Sequence, residues 1–115
     1  MRSLIKFALF TCVVTLAVVA FAGNKGPDGK TLYKANCLVC HDKGSPNGEY
    51  TPMSLISDQW DAFFKTKLVP SHKDAVLPNS GDKKLLDILS PEELKVLHKF
   101  CVDHAADSEQ PLTCG

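Results

Sequence analysis

Five consecutive residues, Cys37 to His41, carry the side chains best suited to chemistry in this chain. They spell C-x-x-C-H, with two thiols separated by two residues and an imidazole directly after the second thiol. On a helix this spacing puts both sulfurs on one side, where each S–H can add across a different vinyl group of one porphyrin. His41 then lies beneath the iron, and neutral imidazole is a suitable iron ligand. The pattern predicts one covalently attached haem c, bound through Cys37 and Cys40 and ligated by His41.

Two other chemistries use paired cysteines, and both need partners that the sequence does not provide. A tetrahedral zinc site requires a second ligand pair at similar spacing, but Cys101 and Cys114 are separated by 12 residues. A thioredoxin-like redox pair wants a preceding strand and a βαβ pattern, and strand signals are absent. Haem attachment is therefore the stronger prediction.

Residues 1–22 have the layout of a secretory signal peptide. A basic start is followed by an apolar stretch from Phe7 and by small residues that end at Ala22, so we expect cleavage before Gly23. An uncleaved membrane anchor is the alternative, but this stretch of 16 residues is shorter than the roughly 18 needed to span a bilayer. We expect an exported, periplasmic protein with no stable membrane span after cleavage.

Residues 23–115 are predicted to form one domain, because the chain of 115 residues contains no internal repeat or long linker. Without the signal peptide it has 11 basic and 13 acidic residues, which does not indicate a nucleic-acid partner. Domains of this size often add a covalent link or a cofactor to a small core. In an oxidising compartment, Cys101 and Cys114 are predicted to form a disulfide that contributes about 3 kcal/mol.

The spacing of apolar residues predicts an all-α domain of three main helices plus a short one. The first helix opens near Asp28 and carries the C-x-x-C-H motif in its last turns. Residues 43–52 contain Gly, Pro and an Asn-Gly pair, which is typical of a loop. The short helix is predicted within 82–89.

The second and last helices are the other elements expected to surround the motif. The second helix is predicted to begin with Ser57 as its cap and to end before Pro70. The last helix begins with a capping box in which Ser90 is the cap and Glu93 the third residue. The large apolar residues expected to form the core, several of them against the porphyrin, are Trp60, Phe63, Phe64, Leu94 and Leu97.

Two segments of this chain resemble small monohaem c-type cytochromes. Residues 29–33, followed by the motif, are similar to the first helix of that family, and residues 90–94 are similar to its terminal helix. The resemblance implies a cytochrome c fold around one covalent haem. It also implies an electron carrier rather than an enzyme, with redox proteins as donors and acceptors. A haem enzyme or ligand sensor is the alternative, and it requires an open sixth iron position.

The sequence differs from that family in the residues available to bind the sixth iron position. The family usually supplies a Met shortly before the last helix, but no Met follows Met53 in this chain. His72 is the first candidate, because it follows the aromatic helix, 12 residues beyond Trp60, in an irregular segment. This resembles the dihaem cytochrome c group. Met53 is the second candidate and an open or water-bound position the third, while His98 and His104 lie on the last helix, away from the distal face. Two imidazoles would give a lower potential than imidazole with Met.

Overall fold

The computed structural model describes residue 23 and residues 26–111, so the predicted signal peptide (1–22) and Cys114 lie outside the described residues. Four helices and no strand occur within this part of the chain, where Val76 and Lys84 form only an isolated bridge. The prediction of an all-α architecture with three main helices and one short helix is confirmed for these residues.

Helix α1, residues 29–41, carries the C-x-x-C-H motif. It consists of an α-helical segment, a π-helical turn and a final α-helical turn, namely Gly29–Tyr33, Lys34–Leu38 and Val39–His41. The predicted start is confirmed, since the Asp28 carboxylate accepts a hydrogen bond of 2.8 Å from the N–H of Thr31. This bond lowers the pKa of Asp28. The π-helical turn, a feature found frequently at functional sites, contains Cys37.

Helix α2, residues 57–72, is longer than the sequence predicts. Its three segments are Ser57–Ala62, the π-helical turn Phe63–Lys67 and Leu68–His72. The predicted end before Pro70 is wrong, and so is the predicted irregular segment at His72, which is the last helical residue. Lys67 has a φ of −113°, far from the helical value of about −63°. This opens the turn before Pro70, where a regular helix would press the proline ring against the carbonyl four residues earlier.

The start of α2 is fixed by a residue far along the chain. Ser57 is predicted as the cap, but it is the first helical residue, and its N–H and hydroxyl both donate to Asp107 Oδ1 at 2.8 Å. These two bonds lower the pKa of Asp107. Asp107 lies 50 positions from Ser57 and therefore ties the beginning of α2 to the segment after the last helix.

Helices α3 and α4 complete the domain and comprise Leu85–Ile88 and Pro91–Asp103. The predicted capping box at the start of α4 is confirmed: Ser90 Oγ accepts from the N–H of Glu93 at 3.1 Å, and Glu93 Oε2 accepts from the N–H of Ser90 at 2.9 Å.

Helix α1 crosses α4 at very short range because Gly29 has no side chain. A Cβ at Gly29 would lie only 2.5 Å from Phe100 Cβ. One turn later the ring centroid of Tyr33 is 5.7 Å from that of Phe100. The buried core comprises Leu32, Tyr33, Trp60, Leu85, Leu89, Leu97, Phe100, Cys101 and Ala105. This crossing fixes α1 against α4 and thereby sets where the motif end of α1 lies.

Candidate functional site

A cavity of about 730 Å³ lies between α1, α2, α4 and the chain around residues 75–77. It brings together four of the five predicted site residues, which are Cys37, Cys40, His41 and His72. Its volume falls within the range of about 300–1,000 Å³ typical of cofactor and ligand pockets. The large apolar side chains in its wall include Trp60, Phe63, Phe64, Leu68, Leu94 and Leu97. All five residues that the sequence assigns to the core are thus part of the cavity wall.

The two motif cysteines open onto this cavity from neighbouring turns of α1. Within residues 26–111, no disulfide involves Cys37 or Cys40. Burial raises the pKa of the Cys37 thiol to about 12, and the neighbouring Cys40 contributes a smaller increase. Cys37 is therefore protonated at neutral pH.

His41 is held by the loop that follows α1. Its Nδ1 lies 3.0 Å from the carbonyl oxygen of Gly48, which can only accept, so Nδ1 carries the hydrogen. The ring of Tyr50 meets that of His41 edge-on, with centroids 5.1 Å apart. Gly48 has a φ of +92°, and a Cβ there would lie 2.8 Å from the Tyr50 ring. The arrangement fixes the tautomer of His41 and leaves Nε2 with an unshared electron pair for a metal.

His72 is held in the same way by its own helix. Its Nδ1 donates to the carbonyl oxygen of Leu68 at 3.0 Å, and Ser71 Oγ lies 2.8 Å from the same nitrogen. The ring of Phe63 meets the His72 ring edge-on, with centroids 6.1 Å apart. Nε2 of His72 is therefore also the nitrogen left free to bind a metal.

The two imidazoles have the separation expected of a pair that shares one metal ion. Their ring centroids are 6.1 Å apart, with 70° between the ring planes. A metal–imidazole bond is about 2 Å long and a ring nitrogen lies about 1.1 Å from its ring centre, so imidazoles on opposite sides of one metal ion would have centroids about 6.2 Å apart. The residues present fit a metal held between His41 and His72.

Within residues 26–111, no three His, Cys, Asp or Glu side chains form a group that could hold a metal ion. A tetrahedral zinc site takes four such ligands. In a haem, by contrast, the porphyrin supplies four nitrogens and the protein supplies the axial ligands. Two histidines with rings 6.1 Å apart, beside two cysteines, thus fit a haem better than structural zinc.

Met53 is the fifth predicted site residue, and the structure does not bring it to the cavity. It lies in a 3₁₀-helical turn, Pro52–Ser54, and is 37% exposed. His98 and His104 are also outside the cavity wall. His98 Nε2 lies 2.5 Å from Asp61 Oδ1, and its ring stacks on Phe64 at 4.8 Å.

Cys101 faces inward on α4, as the sequence predicts, and is 1% exposed. It contributes to the floor of the cavity, and burial raises the pKa of its thiol above the ordinary value. No disulfide joins any two cysteines within the described residues. Its predicted partner, Cys114, lies outside them.

Sequence reasoning missed the groups that orient the two histidines. The carbonyl acceptors at Gly48 and Leu68 belong to the backbone and leave no trace in residue type. One signal was available for His72, because Trp60, Phe64, Leu68 and His72 recur every four residues and continue one helical row beyond Pro70. That row predicts that His72 lies beside Leu68 on one face of α2.

Comparisons of the chain with protein-family models, with curated proteins and with solved structures find no match. The interpretation of the cavity therefore rests on its residues and their geometry. No helix in the described part of the chain is long and apolar enough to cross a bilayer.

Proposed function

We propose that this protein is an exported c-type cytochrome with one covalent haem, which carries electrons between redox proteins. In this proposal Cys37 and Cys40 form the two thioether bonds, His41 is the proximal iron ligand and His72 is the distal one. The domain around them would be a cytochrome c-like fold, and the periplasm would be its compartment.

The observation that carries the proposal is the matched support of two histidines across one cavity. Each imidazole donates Nδ1–H to a backbone carbonyl at 3.0 Å and presents Nε2, and the two rings are 6.1 Å apart. A histidine that ligates a metal nearly always donates its other nitrogen in this way. The cysteines at 37 and 40 open onto the same cavity, where thioethers would hold the porphyrin beside His41.

When bound, the haem supplies an iron centre that gains and loses one electron. The chain holds the ligands in fixed orientations and excludes water from the apolar wall of the cavity. Donation from Nδ1–H to a carbonyl makes Nε2 a stronger electron donor, at both His41 and His72. Two such imidazoles favour the oxidised iron more than imidazole with Met does, so we expect a low-potential carrier.

The first experiment expresses the full chain in a bacterial host that attaches haem in its periplasm. The purified protein should keep its haem absorption after denaturation, because thioether bonds survive unfolding. A Cys37→Ala, Cys40→Ala double variant is the control and should lose that absorption. Loss of the haem from the wild-type protein on denaturation would contradict covalent attachment.

The second experiment separates a closed electron carrier from an open-site enzyme or sensor. Carbon monoxide added to the reduced wild-type protein should change its spectrum slowly or not at all, since His72 occupies the sixth position. His72→Ala should bind carbon monoxide rapidly, and Met53→Ala, the matched control, should behave as the wild type does. Rapid binding to the wild-type protein would favour the enzyme or sensor, and an effect of Met53→Ala alone would assign the distal position to Met53.

A further inference from the structure

Helix α2 lines the cavity with two parallel rows of side chains, each spaced four residues apart. The wall row consists of Trp60, Phe64, Leu68 and His72, all buried or half-buried. The rim row consists of Gln59, Phe63, Lys67 and Ser71, of which only Phe63 is not exposed. The wall row is therefore the apolar side of the cavity, and the rim row borders its mouth.

The rim row contains the only Lys, Arg, Asp or Glu side chain in the described cavity wall, which is Lys67. Within residues 26–111, Lys67 forms no salt bridge. Two turns earlier in the same row, Gln59 Oε1 accepts from the N–H of Ile56 at 3.1 Å. This bond uses the oxygen of the Gln59 amide and leaves its NH₂ hydrogens as donors. Gln59 lies about 12 Å from Lys67 along the helix, so Lys67 is the cation of the rim and stands apart from this amide.

We propose that Lys67 forms an anion subsite at the cavity mouth that binds a propionate carboxylate of the haem. This inference rests on the proposed function. A carboxylate costs several kcal/mol to bury without a partner, so the charged edge of a haem belongs at the rim and not against the apolar wall. Other polar groups at the mouth, such as Asn47 and Tyr50, carry no charge. Lys67 is therefore the side chain able to neutralise a propionate within the described wall.

The subsite has a measurable consequence for the iron. A cation beside the propionate keeps that carboxylate ionised to lower pH, so the wild-type midpoint potential should change little between pH 5 and pH 8. In Lys67→Gln the propionate takes up a proton within this range, and the midpoint potential should rise as the pH falls. At pH 8 the potential of Lys67→Gln should lie below that of the wild type, because a positive charge near the iron has been removed.

The matched control is Lys65→Gln, which makes the same charge change in the same π-helical turn but outside the cavity wall. Lys65→Gln should leave both the potential and its pH dependence unchanged, and Lys67→Arg should restore the wild-type profile. Equal effects of the Lys65 and Lys67 changes, or no effect of either, would overturn the subsite.

A further arm separates a haem carboxylate from a dissolved anion. Adding inorganic phosphate at constant ionic strength should not shift the wild-type potential, because the subsite is already filled. A phosphate-dependent shift that disappears in Lys67→Gln would assign the site to soluble anions and overturn the proposal. If the haem is covalently bound but its midpoint potential does not respond to the Lys67 changes, only the subsite is contradicted. Absence of covalent haem in every variant contradicts the proposed function and the subsite together.

Discussion

The two histidines of the cavity wall lie at the ends of helices whose starts are fixed in different ways. Around His41 the supporting contacts come from nearby residues. Asp28 caps α1 by accepting a hydrogen bond from the N–H of Thr31, three residues later, and the carbonyl that holds the His41 ring is seven residues away. The helix that ends at His72 depends on a distant residue at its start, because the N–H and hydroxyl of Ser57 both donate to Asp107, 50 residues away. The start of the helix that carries His41 is thus set by a neighbouring residue, and the start of the helix that ends at His72 by a distant one.

The strongest test of this comparison is the crossing that fixes the local region in the fold. Gly29→Val would place Cβ 2.5 Å from Phe100 Cβ and force α1 and α4 apart, which should destabilise the protein by about 3 kcal/mol. Gly26→Val is the control, since a Cβ at Gly26 meets nothing within 4 Å. Chemical denaturation of both variants measures the difference. Equal stabilities would show that the short approach of α1 to α4 does not hold the motif in place.

A second prediction concerns the support of His41. Gly48→Ala combines a positive φ with a Cβ 2.8 Å from Tyr50, so it should destabilise the protein by about 1–2 kcal/mol and disturb the carbonyl that holds Nδ1. The weaker bond to Nδ1–H should raise the midpoint potential. Gly44→Ala is the control: its φ is also positive, at +78°, but a Cβ there meets nothing within 4 Å. A potential shifted equally by both variants would point to a general loss of loop structure.

A third prediction concerns the matching support of His72. Ser71→Ala removes a hydroxyl that donates to the carbonyl of Lys67 at 2.6 Å and lies 2.8 Å from His72 Nδ1. We expect a loss of about 0.5–1.5 kcal/mol and faster binding of carbon monoxide than in the wild type. Thr66→Ala is the control, because it removes a similar hydroxyl-to-carbonyl bond of α2 that does not involve His72. If Ser71→Ala bound carbon monoxide at the wild-type rate, the Ser71 hydroxyl would have no role in holding His72.

The smallest expected effect compares the two helix caps. Hydrogen bonds lower the pKa of both Asp28 and Asp107, so each carboxylate stabilises the fold above its unfolded pKa, near 4. That stabilisation is lost as the pH falls through the lower, folded-state pKa. Asp28→Asn and Asp107→Asn should therefore both be less stable than the wild type at pH 7, and the differences should vanish at strongly acidic pH. Thermal unfolding across this range measures them.

The same two variants also separate the proximal region from the distal one. Asp107→Asn should speed carbon monoxide binding slightly, because it loosens the start of the helix that ends at His72. Asp28→Asn should leave that rate unchanged. A larger effect of Asp28→Asn than of Asp107→Asn on the rate of carbon monoxide binding would contradict the claim that the start of α2 controls the position of His72.

Much of this arrangement could be predicted from short-range sequence patterns. The cap at Asp28, the capping box at Ser90 and the inward face of Cys101 all follow from spacing within one or two turns. The continuation of α2 through Pro70 was indicated only by the four-residue spacing that ends at His72, because the open turn at Lys67 is not encoded by residue propensities. The contact of Asp107 with the start of α2 could not be predicted, since Ser57, its partner, is 50 residues away in the sequence.

The same limit applies to the candidate site. C-x-x-C-H is contiguous, so its prediction needs no tertiary structure. The sequence ranks His72 ahead of Met53, but only the structure places His72 at the cavity, where α2 ends, and Met53 on an exposed turn.

The central claim is that His41 and His72 bind one haem iron from opposite sides. Its most direct test is the low-temperature electron paramagnetic resonance spectrum of the oxidised wild-type protein, with His72→Ala measured alongside. The wild-type protein should show a low-spin ferric signal with the strong anisotropy of two imidazoles whose planes are far from parallel, as the angle of 70° requires. That signal should become high-spin in His72→Ala. A high-spin wild-type signal, or a low-spin signal that persists in His72→Ala, would contradict the account.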